Sequence, residues 1–315
     1  MAIIAGFGLL VWGAERFVHG ASAIAKNLGV PPLIIGLTVV GIGTSAPEIL
    51  ISIVAAYQGN PELAVGNALG SNITNIALVL GITAMVTPLT VRSETLRREY
   101  PIMFIIMLVS LMLLIDKHLG RLDGLILISG LFVMMLWMVV QGKKEKRDPM
   151  EKEFEQEIPK ISTKKALLWF AIGFILLLIS SRGLVWGSVN IAKAAGISDL
   201  VIGLTIVAIG TSLPELAASI ASALKKEHDI AIGNILGSNM FNLLAVLGIP
   251  GLVRPSMIDG AVLTRDFPFM IGLSIALFVM AYGFKGEGRI NRFEGGLLVG
   301  GYISYMLVLY YTAIV

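Results

Sequence analysis

The sequence predicts an all-α polytopic membrane protein of ten transmembrane helices, arranged as two inverted five-helix repeats. Composition, an internal duplication and the placement of cations in the loops carry that expectation. Of 315 residues, 56% are hydrophobic and only 14% are charged, whereas a soluble domain carries about 25% charged residues. Apolar runs of about 20 residues, the length that crosses a hydrocarbon core, recur along the chain. The segment IGLTVVGIGTSAPE (35–48) returns as IGLTIVAIGTSLPE (202–215), identical at eleven of fourteen positions. A second pair, VGNALGSNITNIALVLG (65–81) and IGNILGSNMFNLLAVLG (232–248), repeats at the same offset of 167 residues.

The expected spans are 2–26, 32–58, 63–86, 98–116 and 122–141, then 165–192, 199–224, 230–252, 266–284 and 291–313. The opening MAIIAGFGLLVWGAERF has no cation ahead of its apolar run, which predicts a first membrane helix rather than a cleaved leader. Residues 1–141 form the first repeat and 165–315 the second. Between them, 142–164 is a linker whose charged, proline-containing stretch KKEKRDPMEKEFEQEIPK (143–160) reads as solvated chain.

Lys and Arg set the orientation. Loops after odd-numbered helices hold 17 of them and loops after even-numbered helices hold five; Arg16 and Arg182 lie within helices. The bias predicts a cytoplasmic linker and both termini outside, in a cell membrane. Five helices per repeat is an odd number, so the second copy enters the membrane from the opposite side. Inverted repeats with interrupted helices are a transporter architecture, with the site near the midplane.

The motifs supply the chemistry. Each copy of the first ends in a glutamate, Glu48 or Glu215, deep in apolar sequence, where ionisable residues are costly and functional. Gly41 and Gly43 loosen the helix, and Pro47 cannot bond the carbonyl of Gly43; Pro214 likewise frees Gly210. Thr44, Ser45 and Glu48 share one helix face, as do Thr211, Ser212 and Glu215. In the second motif Asn67, Ser71 and Asn75 recur at four-residue spacing, matched by Asn234, Ser238 and Asn242. Gly66, Gly70, Gly233 and Gly237 let another backbone come close. Helices 2, 3, 7 and 8 are therefore expected to kink or break around a central ion site. Its donors are carboxylate, hydroxyl, amide and backbone oxygen, the set preferred by hard cations such as Ca²⁺ and Na⁺. Two buried carboxylates require neutralisation by one Ca²⁺, by two or more Na⁺, or by two protons.

Other features exclude alternatives or stay secondary. With no cysteine, there are no disulfides, thiolate metal sites or thiol nucleophiles. His19, His118 and His228 are scattered and unmatched, so neither metal nor catalytic chemistry is expected of them, and the chain does not read as an enzyme. Glu15 and Arg16 read as interfacial or helix-pairing residues, and Trp12, Trp137, Trp169 and Trp186 as interface anchors.

At GIGTSAPE, AIGTSLPE, GNALGSN and GNILGSN the chain resembles the calcium/cation antiporter superfamily, close to the prokaryotic sodium/calcium exchangers. The resemblance covers all ten helices. It implies that Glu48, Glu215, Thr44, Thr211, Ser45, Ser212, Ser71 and Ser238 line four clustered cation sites. It also implies that the carbonyls of Gly41, Ala208, Thr44 and Thr211 coordinate. Some relatives carry Asp where this chain has Asn75 or Asn242, which argues against potassium co-transport, and the short linker leaves no room for a calcium-sensing domain.

The expected function is Na⁺/Ca²⁺ antiport by alternating access at one central cluster, with Asn75 and Asn242 orienting the carboxylates, three Na⁺ per Ca²⁺ as the resemblance implies, and no organic cofactor. Helices 1 and 6, mostly free of ligands, would slide to switch access. The alternatives are a proton/Ca²⁺ exchanger, a passive cation channel, and a scaffold that would tolerate Glu48→Gln and Glu215→Gln. The expected partners are Ca²⁺, Na⁺ and the lipid bilayer, with no nucleic acid.

Overall fold

The computed structural model describes residues 2–29, 41–91, 93–144, 160–224, 228–282 and 288–314. The first half contains α1 (Ala2–Asn27), α2 (Gly41–Thr44), α3 (Ala46–Gln58), α4 (Pro61–Ile73), α5 (Leu80–Val86), α6 (Ser93–Leu113) and α7 (Arg121–Lys144). The second contains α8 (Thr163–Ala195), α9 (Asp199–Ile202), α10 (Ala208–Thr211), α11 (Leu213–Leu224), α12 (His228–Phe241), α13 (Gly248–Val253), α14 (Phe267–Ala281) and α15 (Arg292–Ile314). Helix lies on each expected span, with ends shifted by a few residues; 32–40 and most of the linker fall outside the described residues.

Among the described residues seven helices are long and apolar enough to cross a membrane, and two shorter apolar helices, Ala46–Gln58 and Glu99–Leu113, accompany them. Burial sorts them into centre and rim. The spans Pro61–Val86 and Ile230–Val253 are 78% buried, whereas Arg121–Met138 is 17% and Arg292–Thr312 28% buried. The two copies of the second repeated motif thus form the core, and the last helix of each half faces outward with apolar side chains such as Leu125, Phe132, Ile303 and Leu307.

The long helices α1 and α8 lie against each other along most of their length. Small residues make this possible: a Cβ on Gly13 would lie 3.1 Å from Leu176 Cβ and 3.3 Å from the Gly173 carbonyl, and Gly20 meets the backbone of Phe170. Arg16 joins the same pair, its guanidinium 5.4 Å from the Trp12 ring and 4.9 Å from that of Trp169. This is the helix-pairing role expected of it, in a cation–π form.

Beside the helices, the loops among the described residues carry four short strands: β1 (Leu89–Val91), β2 (His118–Leu119), β3 (Ser256–Met257) and β4 (Gly288–Ile290). β1 pairs antiparallel with β4, Thr90 opposite Arg289, and β2 with β3, Leu119 opposite Ser256. Runs of two or three residues carry too little alternation to be read as strands. Their placement is informative. Helix α6 connects β1 to β2, so the two sheets sit at its opposite ends. β3 begins 167 residues after β1, yet it pairs with β2. Matched segments of the two halves therefore lie at opposite ends of the molecule.

The interruptions differ in kind from a simple kink. Ser45 (φ −87°, ψ 5°) and Ser212 (φ −82°, ψ 4°) separate α2 from α3 and α10 from α11. Pro47 and Pro214 are the second residues of the helices that follow, where a missing N–H costs nothing. In the core helices the chain does not break; it widens into π-helical segments at Thr74–Val79 and Asn242–Val246, with a third at Gly203–Val207. Such bulges are frequent at functional sites.

Candidate ion site

Four segments meet at the centre: the α2–α3 and α10–α11 turns, and the middles of α4 and α12. Glu48, Glu215, Ser45, Ser71, Asn75, Thr211 and Asn242 are fully buried there, with Ser212 and Ser238 nearly so. Thr44 is partly buried, and Gly41 opens α2.

Hydrogen bonds show which residues meet across the halves. The Ser45 hydroxyl donates to Ser238 Oγ at 3.3 Å, and Ser238 donates to Glu215 Oε1 at 3.1 Å. Ser71 Oγ and Thr211 Oγ1 are 3.4 Å apart. Each of these contacts joins residues that the sequence assigned to the site, and two of the three join one half to the other.

Several buried acceptors have no hydrogen-bond partner among the described residues: both oxygens of Glu48, Glu215 Oε2, Ser212 Oγ, Asn75 Oδ1 and Asn242 Oδ1. A buried polar atom left unsatisfied costs about 1–3 kcal/mol, and more if charged. A concentration of such acceptors at one point is chemically suited to a cation. Among the described residues there is no group of three or more His, Cys, Asp or Glu side chains placed to hold a metal, so any cation held here relies on hydroxyl and amide oxygens beside the two carboxylates.

Two expectations of detail meet other partners. Asn75 Nδ2 donates to Asn239 Oδ1 at 3.2 Å rather than to a carboxylate, because the π-helical widening at Thr74–Val79 turns it toward α12. The Ala208 carbonyl accepts the Ser212 N–H at 3.1 Å and the Thr211 hydroxyl at 3.3 Å, because helix geometry persists up to the Ser212 turn.

Three participants fell outside the expected ligand set. Asn67 donates from Nδ2 to the Glu48 carbonyl at 3.3 Å, and its Oδ1 accepts from Thr211 at 3.3 Å and Ser71 at 3.5 Å. Ser52 donates to the Val246 carbonyl at 2.6 Å, tying α3 to the π segment of the other half. Its counterpart Ser219 accepts from Asn234 Nδ2 at 3.3 Å. Their signal was present in the chain, since 52 and 219, like 67 and 234, share the identity and the 167-residue offset of the motifs.

The halves are not equivalent around the site. Gly66 and Gly70 are buried against α9 and its π segment: a Cβ on Gly70 would lie 2.7 Å from Leu204 Cα. The same close approach was expected of Gly233 and Gly237. Both are partly exposed, and residues 30–40, which match the segment that covers Gly66 and Gly70, lie outside the described residues. Likewise Ala46, at the start of α3, is 5% exposed, whereas its counterpart Leu213 is 42% exposed. α8 packs along α3. Above the turns, Phe7 rests on Gly210 and Val18 on Gly43.

Comparison with known proteins follows this geometry. The profile of the family described as sodium/calcium exchanger protein matches residues 1–140 and 165–311. The putative antiporter CaxA of Alkalimonas amylolytica is 48% identical, over 98% of this chain and 97% of its own. The sodium/calcium exchanger MaX1 of Methanosarcina acetivorans is 32% identical, over 99% and 98%. Among solved structures, the sodium-calcium exchanger NCX_Mj soaked with Na⁺ and Sr²⁺ superposes with a TM-score of 0.67 at 31% identity, over 97% of this chain and 96% of that one.

Proposed function

Because the chain belongs to the sodium/calcium exchanger family, we propose that it exchanges Na⁺ for Ca²⁺ across a cell membrane by alternating access at the site just described. The observation that carries the reading is the cluster of buried, unbonded acceptors around Glu48 and Glu215. One Ca²⁺ balances the two carboxylates, and so do Na⁺ ions with the hydroxyls as further ligands, so the same oxygens serve either ion in turn. Glu48 and Glu215 bridge Ca²⁺ and the central Na⁺. Thr44, Ser45, Ser71 and their mates Thr211, Ser212 and Ser238 complete flanking sites, with the carbonyls of Gly41 and Ala208 and the amides of Asn75 and Asn242 at their edges.

Each five-helix half, 1–141 and 165–315, is an inverted copy of the other; the crossed strand pairing supports this, since matched strands sit at opposite ends. The β1–β4 end carries the loops richest in Lys and Arg and is assigned to the cytoplasm, with the 142–164 linker, while both termini lie outside. On that assignment the exposed faces of Gly233, Asn234, Gly237 and Leu213 open the site toward the cytoplasm. The buried glycines of α4, with α8 laid on α3, close it from outside. Sliding of α1 and α8 as one unit exchanges the two arrangements.

Purified protein in liposomes loaded with labelled Ca²⁺ tests the reading. Efflux driven by inward Na⁺ and abolished by Glu48→Gln or Glu215→Gln is the expected result. Flux that follows a pH gradient and ignores Na⁺ would establish the proton-coupled alternative, and sustained single-channel currents would establish a channel.

A further inference from the structure

We propose that Asn67 is a positioning residue for Na⁺: it takes the hydroxyl hydrogens of Ser71 and Thr211 and so leaves their lone pairs directed at the cation. The inference rests on the exchanger reading above and assigns a role within its site to a residue outside the ligand set.

A hydroxyl has one hydrogen and two lone pairs. To ligate a cation it must present a lone pair, and its hydrogen needs an acceptor elsewhere. Asn67 Oδ1 is that acceptor, 3.3 Å from Thr211 Oγ1 and 3.5 Å from Ser71 Oγ. Thr211 has other acceptors on its own helix, the carbonyls of Val207 at 3.1 Å and Ala208 at 3.3 Å. For Ser71 the only other oxygen within reach among the described residues is the Thr211 hydroxyl itself, at 3.4 Å. Ser71 therefore depends on Asn67 more than Thr211 does.

The orientation of the amide follows from its surroundings. Nδ2 faces the Glu48 carbonyl at 3.3 Å; a flipped amide would set oxygen against oxygen there and would present an NH₂ group to both hydroxyls. Each would then accept from it, giving up one of its two lone pairs and leaving its own hydrogen without this acceptor. Burial fixes the arrangement further: Asn67 is fully buried, and its backbone N lies 2.9 Å from where a Cβ on Gly203 would sit. The side chain is also neutral. An aspartate would keep the acceptor but add a third carboxylate to a site whose charge already matches one Ca²⁺. Ca²⁺ depends chiefly on the glutamates, so loss of the Asn67 acceptor falls mainly on Na⁺.

Transport assays in liposomes on Asn67→Leu, Asn67→Ala, Ser71→Ala and the double variant Asn67→Ala with Ser71→Ala provide the test. The half-saturating Na⁺ concentration is expected to rise roughly tenfold in each Asn67 variant, the loss of about one hydrogen bond's worth of ordering, while that for Ca²⁺ changes less than about twofold. The double variant should be little worse for Na⁺ than Ser71→Ala, because Asn67 acts through Ser71. Parallel weakening of both ions, or additive losses in the double variant, would overturn the inference and leave Asn67 a packing residue. Asn67→Ala, smaller than the native side chain, keeps the test open if the leucine variant does not fold. A wild-type protein that ignores Na⁺ altogether would instead defeat the exchanger reading on which this depends.

Discussion

Gly70 and Gly237 occupy the same place in the repeated motif, four residues after Gly66 and Gly233, yet one is clasped by a neighbouring backbone and the other faces open space among the described residues. The same holds for Ala46 against Leu213 and for Asn67 against Asn234. Near-identical sequences thus sit in two environments within one structure. Local sequence sets which atoms the site offers, while the segment laid against each copy, Leu204 and Ala208 in the case of Gly70, sets how far it is covered.

The largest test of that comparison is at the residues for which the halves should not differ. Glu48→Gln and Glu215→Gln should each reduce Na⁺-driven Ca²⁺ flux to background, while the variants still purify as folded protein. Unequal losses would mean that the two carboxylates do not share one ion.

Next come the glycines. Gly70→Ala drives a methyl into Leu204, 2.7 Å from both its Cα and its carbonyl oxygen, and should destabilise the protein by about 1–3 kcal/mol in detergent unfolding. Gly237→Ala meets nothing among the described residues and should be neutral or stabilising by up to about 1 kcal/mol, through helix propensity. Equal effects would erase the asymmetry.

A third test uses the absence of native cysteine. Phe7 lies on Gly210 here, whereas its repeat counterpart Phe174, 167 residues on, is 42% exposed. A Phe7→Cys, Gly210→Cys pair should cross-link in the conformation described. A Phe174→Cys, Gly43→Cys pair should do so only when the opposite side closes, so conditions that raise one yield should lower the other. Yields that rise together would show that the halves do not alternate.

A last comparison is between Ser52 and Ser219. Ser52→Ala removes the 2.6 Å bond to the Val246 carbonyl and leaves that buried oxygen unsatisfied, costing about 1–3 kcal/mol. Ser219→Ala, whose partner Asn234 is partly exposed, should cost less; thermal unfolding of both variants compares them.

Much of this was legible in the chain because duplication makes polar residues stand out against an apolar background. Ser71, Thr211, Glu215 and Ser238 announce themselves by type and offset, and in the structure Ser71 meets Thr211 and Ser238 meets Glu215. The π segments were not legible: Thr74–Val79 has no residue that codes for a wider turn, and so neither was the bond from Asn75 to Asn239. The strands escaped for a similar reason, since β2 is two residues long and exists only because β3 lies beside it. Nor could the sequence show that Gly70 is buried while Gly237 is partly exposed. Both glycines have the same local code, and what covers Gly70 is Leu204 and Ala208 of the other half.

The strand pairs have a mechanical consequence. β1–β4 and β2–β3 each join one half to the other, at opposite ends of α6, and none of the four strands belongs to α1 or α8. The core is therefore fastened top and bottom as a rigid frame, and the long helix pair is the part left unfastened. That pair feels the ion only through what it leans on, Phe7 on Gly210 and Val18 on Gly43, each one residue before a threonine of the site. On the proposed exchange cycle, a shift of the Thr44 or Thr211 backbone as one ion replaces another would be passed to the surface on which α1 and α8 rest.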